Sequence, residues 1–178
     1  MSDKLPLVEL IARWRAALAQ PPTGIVRTLV VRQGGGVHLT AERLQLNPQG
    51  GISGDRWSQG EDPDPADQLS LIDYRVVDTL VAGDPERLHV PGDNIVTDLD
   101  LGEQAAPFGT RFRVGTALIE LSGKLHAGCS KFRARMGDDA LRWVNAKENR
   151  PHRLRGVYAR ILEPGEVAVG DRIVRVAP

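Results

Sequence analysis

The chain has 178 residues, with 23 basic and 23 acidic side chains and a formal net charge of zero. This balance argues against a general nucleic-acid binder and against a membrane-surface binder. A domain of this length buries most of its apolar surface without disulfides or a structural metal. The single cysteine cannot form an internal disulfide, and neither a secretory signal nor a membrane-spanning apolar run is evident, so we expect a cytoplasmic protein.

The N-terminal segment carries apolar residues at helical spacing. This spacing predicts an amphipathic helix over residues 5–20, with Pro6 in its first turn. We therefore divide the chain into an N-terminal amphipathic helix over residues 1–23, packed on the domain, and a domain over residues 24–178. We expect Trp14 to be a packing residue of this helix.

A β-type pattern follows. Runs at residues 24–31 and 37–46 flank three glycines and predict a hairpin. The next segment, residues 47–68, is rich in Gly, Pro and Asp, and loops of this length inside compact domains are often functional. Within it, Gly54 lets the backbone approach a ligand, and Arg56 is able to bind an anion through two parallel hydrogen bonds.

The remaining pattern favours strands over helices. Residues 69–72 predict a short strand, and Asp73 then caps a helix. Residues 110–114 and 117–121 predict a second hairpin, and the segment after Gly156 again has β character. The predicted fold class is therefore mostly β with flanking helices, an α+β protein with a β-rich core closed by helices.

Cys129 lies where a helix is expected to begin, after the predicted hairpin and a turn of small residues. A helix start offers unpaired N–H groups, and the cations of Lys131, Arg133 and Arg135 follow directly, so the thiolate is favoured over the thiol. Helical spacing places Lys131 and Arg135 on one face and turns Arg133 away from both. An inert, buried cysteine is the alternative interpretation.

Six segments occur in an order that is typical of one known family. They are GISGDRW at 51–57, QLSLID at 68–73, PGDNI at 91–95, GTRFRVGTALIELSG at 109–123, GCSKFRARMG at 128–137 and RGVYARILEPGEVAVGDRI at 155–173. With these segments the chain resembles the MOSC domain, the module named after the C-terminal part of molybdenum cofactor sulfurases, and in particular its bacterial stand-alone members. The resemblance covers residues 24–176.

This resemblance implies a MOSC-like β-barrel core whose cleft cysteine binds a molybdenum–pterin cofactor or carries sulfur. Cys129 is then the catalytic thiol and the metal ligand, while Arg56 and Asn94 lie on loops that face it. Trp57 stands where many family members have His. The sulfurase that names the family has a separate pyridoxal-phosphate domain, so no pyridoxal phosphate is expected on this chain.

A pterin phosphate needs Arg or Lys side chains, or helix-terminal N–H groups. The candidates in this sequence share a position near one of the matching segments: Arg56, Lys131, Arg133, Arg153 and Arg155.

Three functional hypotheses follow. In the first, Cys129 ligates molybdenum in a reductase of N-hydroxylated compounds, because a thiolate is a soft ligand for a transition metal. In the second, Cys129 holds a persulfide and delivers the sulfur to a partner or a metal–sulfur centre. In the third, the domain is structural or senses a ligand. The expected partner is an electron-transfer protein or a sulfur donor, and the sequence does not indicate the oligomeric state.

Overall fold

The computed structural model describes residues 4–177. Residues 1–3 of the predicted N-terminal segment and residue 178 of the predicted domain lie outside it. The described residues form four α-helices and eleven β-strands. The helices are α1 (Leu7–Ala17), α2 (Tyr74–Leu80), α3 (Ser130–Met136) and α4 (Asp138–Asn145). The strands are β1 (Val26–Arg32), β2 (His38–Ala41), β3 (Arg43–Asn47), β4 (Gly51–Ile52), β5 (Leu69–Asp73), β6 (Ile95–Thr97), β7 (Arg111–Val114), β8 (Ala117–Leu121), β9 (Val157–Glu163), β10 (Gly165–Ala168) and β11 (Ile173–Arg175).

The largest sheet curls into a barrel-like core. Its strands lie in the order β11-β7-β8-β9-β5-β6-β1-β2, and all neighbours are antiparallel except the parallel pair β5 and β6. The curl closes where a bridge joins Ile25 to Arg172 and the N–H of Ile173 donates to the carbonyl of Gly24 at 2.6 Å. Closure protects strand edges that an open sheet leaves unpaired. The predicted fold class is confirmed.

The predicted hairpin at residues 24–46 is only partly correct. The first strand pairs with β2 as expected, but the chain bends after Ala41 and its continuation, β3, pairs with β10 in a separate sheet ordered β10-β3-β4. The bend lets Leu44 and Leu46 turn into the barrel interior while the residues between them stay exposed. Burial of two leucines outweighs the continuation of a single strand.

Two apolar clusters hold the fold together, one inside the barrel and one between the barrel and the helices. Successive residues of β5 serve both, since Leu71 belongs to the interior cluster and Ile72 to the outer one. Trp14 of α1 packs in the outer cluster against Trp143 of α4, with ring centroids 6.1 Å apart. The predicted packing role of Trp14 is confirmed, while the division of the chain at residue 23 stays a prediction.

The elements nearest Cys129 follow the sequence closely. The hairpin of β7 and β8 is formed, and the Asp73 side chain caps α2 by accepting a hydrogen bond from the N–H of Arg75 at 2.8 Å. Gly137, with a φ of 93°, separates α3 from α4. Within residues 4–177, no helix has the length and apolar character that crossing a membrane requires.

Gly156 allows β9 to lie directly against β5. Its φ is +86°, and a Cβ atom there would collide with the carbonyl oxygen of Leu71. Gly170 has a similar φ of +91° but open space around the Cβ position. The two positions therefore separate backbone strain from steric overlap.

We predict that Gly170→Ala lowers the free energy of unfolding by about 1 kcal/mol, the cost of left-handed backbone. Gly156→Ala should cost a further 1–3 kcal/mol or so, because β9 must move away from β5. Urea unfolding of both variants measures the difference. Equal destabilisation by the two substitutions would contradict the close contact between the strands.

Candidate functional site

Cys129 is the residue immediately before α3, as the sequence predicts, and its thiol is exposed. The preceding peptide is fixed by Asn145 at the end of α4. The Asn145 side chain accepts from the N–H of Gly128 at 2.9 Å and donates to its carbonyl at 3.0 Å. The position of the thiol is therefore set by a second helix as well as by its own.

The pKa of the Cys129 thiol lies below its ordinary value. Partial burial raises this pKa. The backbone N–H groups of Phe132 and Lys131 and the guanidinium groups of Arg155 and Arg135 lower it, and their combined effect is larger than that of burial. Each of these groups stabilises the thiolate rather than the thiol. These groups are the structural basis for the predicted activation of the thiol.

Arg135 forms one side of the site. Its guanidinium donates to the carbonyl of Pro91 at 3.0 Å and is partly buried. Burial, together with the nearby cations of Arg155 and Arg56, lowers the pKa of Arg135. Burial lowers the pKa of His38, and the cations of Arg135 and Arg56 lower it as well, so His38 lies near both. The cations thus come from distant parts of the chain and face a common region.

Arg155 lies beneath the thiol in a buried ion pair. Its Nη1 is 2.6 Å from Oδ2 of Asp93, and its Cζ lies 5.0 Å from the centre of the Phe132 ring on α3. Both charged side chains are more than nine-tenths buried. A buried pair of this kind is strongly destabilising to break, so it holds Arg155 in place below α3.

His126 occupies the other side of Asp93. Its Nδ1 is 3.7 Å from Oδ1 of Asp93, and neither atom has a hydrogen-bond partner among the described residues. The ring stacks on Tyr158 with centroids 4.0 Å apart. Burial and the cation of Arg155 lower the pKa of His126 to about 3, against the opposing effect of Asp93, so the ring is neutral at pH 7.

A buried network supports this region from below. The Asp55 carboxylate accepts from the backbone N–H, Nε and Nη2 of Arg32 at 2.9, 3.0 and 2.9 Å, and from the Asn94 amide at 2.9 Å. The second Asn94 N–H donates to the carbonyl of Val30, and Oδ1 of Asn94 accepts from the N–H of Ser70 at 3.1 Å. The sequence predicts Asn94 as a cofactor-binding residue, whereas both of its N–H groups are used inside the protein.

The other predicted cofactor-binding residues differ in position. Arg56 is partly exposed on the turn after Asp55, and Lys131 is exposed in the first turn of α3. Arg133 points away as the helical spacing predicts, with its side chain 61% exposed and 3.4 Å from Asp138. Of the predicted set, Arg155 acts on the Cys129 thiol together with Arg135, and Arg56 lies near Arg135.

Sequence reasoning missed three participants: Arg32, Tyr158 and the pairing of Asp93 with Arg155. One signal was available, because Arg32 ends an apolar strand at a position where alternation expects an inward side chain. Asp93 and Arg155 are 62 residues apart, and only the fold brings them together. Tyr158 carries no local signal beyond its place in a strand.

The comparisons with known proteins identify the family of the chain. A family model described as the MOSC domain matches residues 65–174, more than half of the chain. The chain belongs to the MOSC domain family. The matched range includes Cys129, Asn94 and Arg155, while Arg56 lies before it.

Solved structures share the MOSC fold at low sequence identity. YiiM from Escherichia coli is 23% identical with a TM-score of 0.54, over 85% of this chain and 70% of that one. YiiM from Geobacillus stearothermophilus is 18% identical with a TM-score of 0.62, over 86% and 75%. YuaD from Bacillus subtilis is 17% identical with a TM-score of 0.59, over 84% and 93%. A search of curated proteins found no significant match.

We predict that Arg135→Gln slows alkylation of Cys129 by iodoacetamide at pH 7, by about twofold or more, because the thiol pKa rises. Arg133→Gln, two residues earlier on the same helix, should leave the rate unchanged because Arg133 points away from the thiol. Since the chain has one cysteine, mass spectrometry reports on Cys129 alone. Equal rates for both variants would contradict the assigned electrostatics.

We also predict that Asp55→Asn destabilises the protein by about 3–5 kcal/mol at pH 7, because it leaves Arg32 buried and unpaired. Burial raises the pKa of Asp55, but the Arg32 hydrogen bonds and charge lower it more, so the folded-state pKa is depressed. Its stabilisation is therefore complete above the unfolded pKa and lost as the pH falls through the folded pKa.

Chemical denaturation at several pH values tests this, with Glu163→Gln as the control for an exposed pair. Glu163 pairs with Arg113 at the surface, so its amide variant should cost at most about 1 kcal/mol. The difference in free energy of unfolding between the parent and Asp55→Asn should decrease below about pH 4. A gap that stays constant down to acid pH would contradict the buried ion pair.

Proposed function

We propose that this MOSC protein binds a molybdenum–pterin cofactor through the thiolate of Cys129 and acts as a reductase of N-hydroxylated compounds. The observation that carries the proposal is an exposed thiol whose pKa is lowered by helix N–H groups and by the guanidinium groups of Arg155 and Arg135. A thiolate is a soft ligand for a transition metal, and guanidinium groups bind phosphate.

The residues present fit such a group. Cys129 supplies the soft ligand, Arg135 supplies positive charge near the thiol, and Arg56 adds charge next to Arg135. Lys131, exposed in the first turn of α3, is a further candidate for the phosphate. We leave out Asn94 and Arg133, because the first is satisfied inside the protein and the second faces away.

When bound, the cofactor supplies the redox chemistry. The chain's own residues hold and orient it. Cys129 would bind as the thiolate, the form that the neighbouring N–H groups and cations favour by lowering the thiol pKa. Arg155, held by its ion pair with Asp93, keeps a guanidinium group near the thiol. An electron-transfer protein is the partner that a reductase of this kind requires.

The exposure of Cys129 also favours a second role, as a sulfur carrier. A persulfide on an exposed thiol is accessible to a sulfur donor and to an acceptor protein. The thiolate would attack the persulfide of a donor such as a cysteine desulfurase, take its outer sulfur and release the donor thiolate. Metal binding and persulfide formation use the same atom, so they are alternatives at any one time.

We predict that the full chain, purified natively from a host that makes the cofactor, contains molybdenum, and that Cys129→Ala loses it. Ser130→Ala is the matched control, since Ser130 is the exposed neighbour of Cys129 and should retain the metal. Elemental analysis gives the metal content, and intact mass spectrometry detects one added sulfur atom.

Molybdenum retained equally by Cys129→Ala and the parent would contradict the ligand assignment. If the protein contains no molybdenum and Cys129 gains one sulfur atom from a cysteine desulfurase, the result would contradict the reductase and support the sulfur carrier. Protein that shows neither would contradict both roles.

A further inference from the structure

A cavity lies beside the loop that leads to Cys129. It has a volume of about 470 Å³, within the usual range for small-molecule sites. One wall is the loop of residues 124–127, and the opposite wall is formed by the end of α4 and the segment of residues 149–157. Phe108 completes the lining.

The walls of this cavity are largely apolar. Val144, Leu154 and Val157 line it from the protein side. Two large apolar side chains of the lining face solvent, since Leu125 is 83% exposed and Phe108 is 48% exposed. Exposed apolar side chains grouped at a concave site are a mark of ligand binding rather than of folding.

Most of the charged groups of the cavity are cationic. Arg150, Arg153 and Arg155 all line it, and Glu103 is the one carboxylate among its described lining residues. Arg155 is paired with Asp93. Arg150 and Arg153 have no carboxylate within ion-pair distance among the described residues. The cavity therefore offers positive charge beside apolar walls, with Glu103 as its one described carboxylate near Arg153.

Arg153 is held in a fixed orientation. Its Nη1 donates to the carbonyls of Ala106 and Leu101 at 2.6 and 3.2 Å, and its Cζ lies 3.9 Å from the centre of the Phe108 ring. The backbone of Arg153 is left-handed, with a φ of 48°, which is strained for a residue with a side chain. A guanidinium fixed at the cost of backbone strain is preorganised for a partner.

Two buried N–H groups at this cavity have no partner. Nε of Arg153 and Nε of Arg155 make no hydrogen bond among the described residues, and the side chain of Arg155 is at least nine-tenths buried. Buried polar groups are normally satisfied, so orphaned donors at a cavity indicate a missing acceptor.

We propose that this cavity binds a small carboxylate with an apolar body, with the carboxylate at Arg153 and the body between Leu125 and Val157. A carboxylate is the acceptor that a guanidinium binds best, and the apolar walls exclude a simple inorganic anion as the preferred occupant. Binding here requires no cofactor at Cys129, so the proposal stands apart from the proposed function.

The test uses benzoate as the probe and a chemical-shift titration of the isotope-labelled full chain as the readout. Benzyl alcohol keeps the ring without the charge, and acetate keeps the charge without the ring. Benzoate should bind about tenfold more tightly than either, with shifts at residues 124–127 and 149–157. Equal affinity for benzyl alcohol, shifts elsewhere, or no saturable shift with benzoate would each overturn the proposal.

Two sets of variants locate the charge. Arg153→Gln should weaken benzoate binding by about tenfold or more, because a charge-assisted hydrogen bond is lost. Leu125→Glu and Leu125→Gln form a matched pair at an exposed position, so both should fold, and only the Glu variant should repel the carboxylate, by about threefold or more relative to Gln. Unchanged affinity in Arg153→Gln, or equal affinity in the Leu125 pair, would contradict a carboxylate at this cavity.

Discussion

The buried carboxylate of Asp55 is the interaction on which the rest of the site depends. It joins Arg32 at the end of β1 to Asn94 at the start of β6, and Asn94 in turn binds Ser70 of β5. Three strands and the glycine-rich loop of residues 51–57 thereby meet at one point inside the protein. Because an unpaired charge there is costly, the network fixes where Arg56 leaves the loop on one side and where Asp93 lies on the other.

From this base the charges of the cleft follow in sequence. Asp93 holds Arg155 under α3, and Arg155 with Arg135 and the N–H groups of α3 lowers the pKa of Cys129. The two cations are placed by different elements, and both act on one exposed sulfur. This arrangement stabilises a thiolate, the form of cysteine that would bind a metal or carry sulfur in the proposed function.

The sequence predicted local features well and long-range pairs poorly. The cap at Asp73, the hairpin before Cys129 and the helix start at Cys129 depend on neighbouring residues, and all three are present. Asn94 shows the limit of such reasoning, because a turn motif does not reveal that its side chain faces Asp55. The bend after Ala41 also depends on the barrel interior, where Leu44 and Leu46 are buried.

The central claim is that the fold lowers the pKa of the Cys129 thiol. Thiolate absorbance at 240 nm, titrated against pH on the full chain with Cys129→Ser as the blank, measures this directly, because Cys129 is the one cysteine of the chain. We predict a midpoint below the ordinary thiol pKa of about 8.5. A midpoint at or above that value would contradict the account.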